Sequence, residues 1–238
     1  MSANASPLRD ESLARIESGW ANRLAVPVSA FHQSEITFVP KEASKVLVIV
    51  ELHGSVVVVS PPALIRVLSP ISHPDLLDLE VLLRLLVEFQ PKPVGVATIS
   101  YVDSSTLRKT SSSHPVHIAQ ARELEEVLSS GSRDEQEESG ISTIPMLFGA
   151  KSEDGDVGAL AGYEVWNSKI AQMGVLAKPK YRGTGLAFAA AHAASKAAMD
   201  SELVPQWRCR IGNEPSHRLS EQLGFQKLGH QLAVDLII

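Results

Sequence analysis

Apolar residues recur along this chain with two different periods. Leu13, Ile16, Trp20 and Leu24 fall at three- and four-residue steps, which predicts an amphipathic helix over residues 11–24, closed by Pro27. Residues 46–50 and 56–59 are short β-branched runs on either side of a polar, Gly-containing turn, and they predict a buried hairpin. Leu76, Leu79, Leu83 and Leu86 line one face of a helix predicted over 74–89, and residues 94–101 read as a further strand. Residues 103–115, with Ser111, Ser112 and Ser113 in a row, show no period and read as a linker or long surface loop. Beyond them, Ile118, Leu124 and Leu128 predict a helix over 116–128, and the charged stretch 132–139 reads as a solvated helix face or loop. Strands follow at 146–150, 158–166 and 170–176, with an acidic turn at 152–156 between the first two. The order then runs glycine loop, helix, strand, helix and final strand.

Composition narrows the classes. The chain has 238 residues, 44% hydrophobic, which excludes wholesale disorder and allows one large domain or two modest ones. A net charge of -5 and 5% aromatics argue against nucleic acid as the main partner. The lone Cys209 can form neither an internal disulfide nor a thiolate metal cluster. Residues 1–10 lack the apolar core of a secretory signal, and no stretch approaches the ~20 apolar residues of a membrane helix. The expected location is therefore cytoplasmic. The chain divides near residue 110, with an α/β region of unassigned role over 1–110 and the interpretable chemistry over 111–238.

That chemistry begins at Val175-Leu-Ala-Lys-Pro-Lys-Tyr-Arg-Gly-Thr-Gly-Leu-Ala187, which follows an apolar strand and enters an Ala-rich helix over 188–199. The first amides of a helix lack intrahelical partners, and the helix dipole adds positive potential there. Gly183 and Gly185 let a phosphate approach the backbone, or let the chain take φ > 0. Lys178, Lys180 and Arg182 add formal charge, so a pyrophosphate is the natural guest. The P-loop pattern is absent, and a dinucleotide fingerprint would need a third Gly where Phe188 stands.

Downstream come a strand over 206–211, Gly212-Asn213, a helix over 215–223 with Pro215 in its first turn, and Gly224-Phe225. With the Pro179-x-Tyr-Arg-Gly-Thr-Gly185 loop, the Asn213-x-x-Ser216 helix start and the Leu223-Gly-Phe225 ending in this order and spacing, the sequence resembles the GNAT superfamily of acetyl-CoA-dependent N-acyltransferases. Within it the chain looks closest to the FR47-like acetyltransferases. The resemblance covers roughly residues 116–234. It implies an α+β fold with a mixed, mostly antiparallel twisted sheet flanked by helices, and the N-terminal region becomes either a degenerate half of the same fold or a lid.

The resemblance also implies roles. The amides of Tyr181, Arg182, Gly183, Thr184, Gly185 and Leu186 would grip the coenzyme A pyrophosphate, with Lys180 beside them. The preceding strand would splay from its neighbour and hold the pantetheine arm over residues 173–177, among them Val175, Leu176 and Ala177. A backbone N–H there would stabilise the tetrahedral oxyanion. Asn213 and Ser216 would contact the pantetheine or orient the thiol. Acetyl-CoA would be the co-substrate, and an amine on a small molecule or peptide would attack it directly. Glu164 is the best-placed base. The expected partners are that amine and, as a homodimer, a second copy of the chain, with neither nucleic acid nor membrane. The Tyr that many members carry seven residues after the Asn is Ser220 here, a poor general acid.

Other residues have plainer readings. Cys209 is a buried strand residue, and His192 a structural or surface histidine. His217 is an alternative proton carrier. His114 and His117 have no carboxylate partner at ligand spacing, so no metal is expected, and Trp166 and Trp207 read as core. Two other classes stay open: a non-catalytic acyl-CoA-binding sensor, and a nucleotide-binding enzyme using the same loop.

Overall fold

The computed structural model describes residues 7–109 and 114–237. The Ser111–Ser113 run and the division expected near residue 110 therefore lie outside the described residues. The first half of the chain forms α1 (Asp10–Leu24), β1 (Thr37–Pro40), β2 (Val46–Leu52), β3 (Ser55–Ser60), α2 (Pro62–Leu68), α3 (His73–Leu76), α4 (Leu79–Leu85) and β4 (Lys92–Tyr101). The second half forms β5 (Val116–Ile118), α5 (Ala121–Ser130), α6 (Arg133–Ser139), β6 (Leu147–Lys151), β7 (Val157–Trp166), β8 (Ile170–Ala177), α7 (Leu186–Asp200), β9 (Val204–Arg210), α8 (Glu214–Leu223) and β10 (Gln226–Asp235). This is the expected α+β architecture, with mostly antiparallel strands flanked by helices.

Contacts divide the chain into two compact units. A valine-rich unit takes the described residues within 17–99, 208–214 and 227–238, and a glycine-loop unit takes those within 1–16, 100–207 and 215–226. In the valine-rich unit the strand order is β1-β3-β2-β10-β4, with β1 and β3 parallel. The expected hairpin is β2–β3. Its turn, His53-Gly54, has φ of 52° and 83°, the two positive values that let a two-residue connection match the twist of its strands. Every residue of β3 is buried, which explains its unbroken valine run. Leu47, Ile49, Val56 and Val58 meet Leu64, Leu68, Leu76, Leu82 and Leu86 in one core.

The helix expected over 74–89 is broken into α3, α4 and a 3-10 turn at Val87–Phe89. Asp78 interrupts it by turning its carboxylate onto the amides of Glu80 and Val81, so the leucine period continues while the backbone restarts.

The glycine-loop unit has the order β9-β8-β7-β6-β5, antiparallel except for β8 beside β9. The helix expected over 116–128 begins later than its apolar period suggests. Val116 and Ile118 pair with Ala150 and Phe148 as β5, and the helix starts only at Ala121. Glu123 sets that start, since its carboxylate accepts from the Gln120 amide at 2.8 Å and from His117 Nε2 at 2.9 Å. His117 therefore has a carboxylate neighbour that its sequence spacing did not mark. The pairing is a helix cap, and the described residues hold no cluster of His, Cys, Asp and Glu that could bind a metal. The charged stretch is helix α6, opened by a Ser132–Glu135 capping box. Val127, Ile141, Ile144, Leu160 and Leu176 form the core under α5 and α6, while α7 packs on β6, β7 and β8. Among the described residues no helix is long and apolar enough to cross a membrane.

Candidate active site

β8 and β9 run parallel for three rungs, Ile170↔Val204, Ala171↔Pro205 and Gln172↔Gln206. On its other side β8 stays paired with β7 along its whole length, from Ile170↔Trp166 to Ala177↔Ala159. Among the described residues, Met173–Ala177 therefore have β7 as their only strand partner. Val175, Leu176 and Ala177 lie in this one-sided stretch.

Past Ala177 the chain makes a 3-10 turn at Pro179–Tyr181 and reaches α7 through Gly183 and Gly185, with φ of 79° and 89°. Those values lie in the left-handed region, where a side chain would be strained. Gly183 and Gly185 are exposed, and their amides and those of Leu186, Ala187 and Phe188 bond to no acceptor among the described residues. Such a run of unbonded amides at the start of a 15-residue helix suits a phosphate. Thr184 closes the turn through its hydroxyl, 2.7 Å from the Tyr181 carbonyl, and His114 Nε2 donates to the Thr184 carbonyl at 2.9 Å.

The cations around this loop are all engaged. Arg182 meets Glu135 at 2.7 Å, Lys180 meets Asp156 at 2.9 Å, and Lys178 meets Glu126 at 3.4 Å. Tyr181 donates to the same Asp156 oxygen at 2.8 Å, under the Lys180 ammonium. Bonds from Lys180 and Tyr181 hold the Asp156 carboxyl below its ordinary value, and Lys180 is raised in return by Tyr181 and Asp156. The loop's positive potential at rest thus comes from its amides more than from its side chains.

Glu164 lies on β7, exposed, with its carboxylate fixed by the Trp166 indole N–H at 3.1 Å. In register with it stand Gln172 on β8 and Gln206 on β9, one row on one face of three neighbouring strands. The same face carries the paired Gly162 and Gly174. Methyl groups there would lie 2.5 Å from the Met146 and Ser139 carbonyl oxygens, so the glycines let the segment 139–147 lie directly on the strands. This wall beside Glu164 was not foreseen, because nothing local distinguishes a packing glycine from any other strand glycine.

The remaining expected residues are dispersed. Ser216 accepts from the Trp207 indole N–H at 3.0 Å. Asn213 belongs to the valine-rich unit, where its carbonyl accepts from Cys209 Sγ, and Cys209 is buried as expected. Ser220 is buried and donates to the His217 carbonyl at 2.8 Å, within its own helix. Trp166 and Trp207 are core residues. His192, lowered in pKa by burial, donates to the Arg108 carbonyl at 3.1 Å and stacks on Phe188.

The family profile of the GNAT acetyltransferases matches residues 152–231, the stretch that holds β7, β8, the glycine loop, α7, β9 and α8. Over these residues the chain is similar to the GNAT acetyltransferases. Among solved structures, the chain is similar to a GCN5-related N-acetyltransferase from Kribbella flavida, with 17% identity, TM-score 0.49, and 65% of this chain and 63% of that one covered. It is also similar to a GNAT-family acetyltransferase from Colwellia psychrerythraea, with 14% identity, TM-score 0.48, and 64% and 60% covered. A GCN5-related N-acetyltransferase-like protein from Streptococcus suis gives 18% identity, TM-score 0.46, and 67% and 68% covered. The chain thus spans about two thirds of the length of these structures. No curated protein sequence matches it.

Proposed function

We propose that the glycine-loop unit is an N-acetyltransferase that moves the acetyl group of acetyl-CoA directly onto an amine of a small molecule or peptide. The observation that carries the reading is the one-sided stretch Met173–Ala177 leading into a loop with unbonded amides. The stretch leaves backbone groups of β8 for the pantetheine and thioester, and the amides of Gly183, Gly185 and Leu186 receive the pyrophosphate. Lys180 and Arg182 then exchange their carboxylate partners for phosphate oxygens. The amine gives its proton to Glu164, directly or through water, and attacks the carbonyl carbon. The oxyanion collapses and expels the coenzyme A thiolate, which takes its proton from solvent.

Calorimetric titration of acetyl-CoA into the parent protein and into Gly183→Val and Gly185→Val tests the loop. Weakened binding in the variants is expected, and unchanged affinity in both would falsify the assignment. Thiol release with a panel of amines then tests transfer. One observation favours a second reading, an acyl-CoA sensor: the Ser220 hydroxyl is spent on its own helix and is no proton donor to a thiolate. Tight acetyl-CoA binding without thiol release on any amine would select the sensor.

A further inference from the structure

The row that begins at Glu164 continues inward as a hydrogen-bonded chain. Tyr101 Oη donates to Gln206 Oε1 at 2.5 Å, Gln206 Nε2 donates to Gln172 Oε1 at 2.7 Å, and Gln172 Nε2 donates to the Met173 carbonyl at 3.0 Å. Tyr101 and Gln206 are fully buried, whereas Gln172 is half-buried, so the chain leads from the core to the surface. It surfaces at Gln172↔Gln206, the last rung between β8 and β9, beside the first residue of the one-sided stretch.

The chemistry of the links fixes their direction. An amide presents an acceptor oxygen on one side and two donor hydrogens on the other, and neither amide of this row could flip alone without facing donor to donor or acceptor to acceptor. The Met173 carbonyl can only accept, which turns the Gln172 nitrogen toward it and the Gln172 oxygen toward Gln206. That oxygen claims the Gln206 nitrogen, which leaves the Gln206 oxygen to accept from the Tyr101 hydroxyl. One of the two Gln172 N–H bonds is used at Met173, and the second has no acceptor among the described residues. A backbone carbonyl thus determines that the group offered at the fork is a donor, and the Gln206–Tyr101 pair braces it from the core.

We propose that this second N–H of Gln172 is a side-chain oxyanion donor to the acyl carbonyl, with Gln206 and Tyr101 as positioning residues that hold it in the donor orientation. The assignment rests on the acetyl-CoA reading above. As the amine nitrogen forms its bond to the carbonyl carbon, the C=O electron pair moves to oxygen, and Gln172 stabilises that charge without transferring a proton. Collapse re-forms the carbonyl, breaks the C–S bond and returns Gln172 unchanged. The row would then place proton acceptor and oxyanion donor side by side, Glu164 for the amine and Gln172 for the thioester. A donor held in place that needs no reorganisation is worth far more in the transition state than in the ground state.

The test uses the full chain, hydroxylamine as a small acceptor probe and the release of coenzyme A thiol as the signal. Gln172→Leu removes the donor and Gln172→Glu replaces it with an acceptor of the same shape. Both should lower kcat by about 10²–10³-fold while the Kd for free coenzyme A, which has no acyl oxygen, stays within about twofold. Tyr101→Phe leaves Gln172 in place but removes the brace on the Gln206 oxygen, and should lower kcat by about 3–10-fold with KM unchanged. A folded Gln172→Leu or Gln172→Glu protein that turns over at the parental rate overturns the proposal. So does a loss in KM alone, which would mark a ground-state contact. Parent protein that fails to bind acetyl-CoA instead overturns the cofactor reading, and this proposal with it.

Discussion

Gly174→Ala perturbs the wall beside Glu164 and Gln172 by a single methyl group. That methyl would lie 2.5 Å from the Ser139 carbonyl oxygen, 2.7 Å from Ile144 Cδ1 and 3.4 Å from Ile141 Cγ2. An ordinary carbon–oxygen contact is about 3.3 Å, so the Ser139 backbone must withdraw by roughly 0.8 Å. Ser139 ends α6, and Ile141 and Ile144 are buried in the core under it, so the withdrawal loosens packed side chains rather than a free loop. Overpacking of this kind costs about 1–3 kcal/mol, which for a chain of this size lowers Tm by roughly 2–12 °C. Gly162→Ala meets the same Ile144, at 2.8 Å. The double variant should therefore lose less than the sum, because one displacement of Ile144 relieves both methyls. Differential scanning calorimetry of the parent, both single variants and the double variant measures the terms. A Gly174→Ala protein that melts within about 1 °C of the parent would refute the close approach.

The other predictions address charge and catalysis. Glu135→Gln keeps a residue able to close the α6 capping box but frees Arg182, so acetyl-CoA affinity should rise about two- to fivefold at low salt, the gain shrinking above ~0.5 M salt; titration at two ionic strengths reads it. For Asp103, burial pushes the carboxyl up, but bonds from Ser105, the Arg9 amide and Ser12 outweigh it and hold it below its ordinary value. A depressed carboxylate contributes stability that is fully present above the unfolded pKa and lost as pH falls through the folded one. The stability gap between parent and Asp103→Asn should thus be full above about pH 4 and close below it; urea melts across pH 2–7 give the curve. Glu164→Gln should lower the rate of thiol release and remove the fall in rate toward low pH that protonation of a general base produces, while leaving acetyl-CoA affinity within about twofold. An unaltered pH–rate profile removes Glu164 as the base.

Local patterns were readable before any coordinates. The Gly183 and Gly185 loop, the Ala-rich helix behind it and the strands on either side are set by neighbours in sequence, so spacing alone located them. Where the period of the apolar residues and the local polar chemistry disagreed, the polar groups won. Asp78 broke one expected helix, and Glu123 delayed another. Lys178, Lys180 and Arg182 flank the loop in sequence, yet their partners Glu126, Asp156 and Glu135 are 52, 24 and 47 residues away and carry no local signal.

By itself, then, the sequence determined the class of the fold, the glycine turn and the helix behind it, because each depends on short-range periodicity, glycine conformation and helix ends. Tertiary structure alone decided which groups around that turn are free. It paired the cations, spent Ser220 on its own helix and set the glycines of β7 and β8 against a backbone wall. It also joined Tyr101 to Gln206 across 105 residues and Gln206 to Gln172 across 34. Hydrogen bonds and charge pairs act over a few ångströms whatever the distance along the chain. The register of β7, β8 and β9 therefore had to form before Glu164, Gln172 and Gln206 could stand in one row.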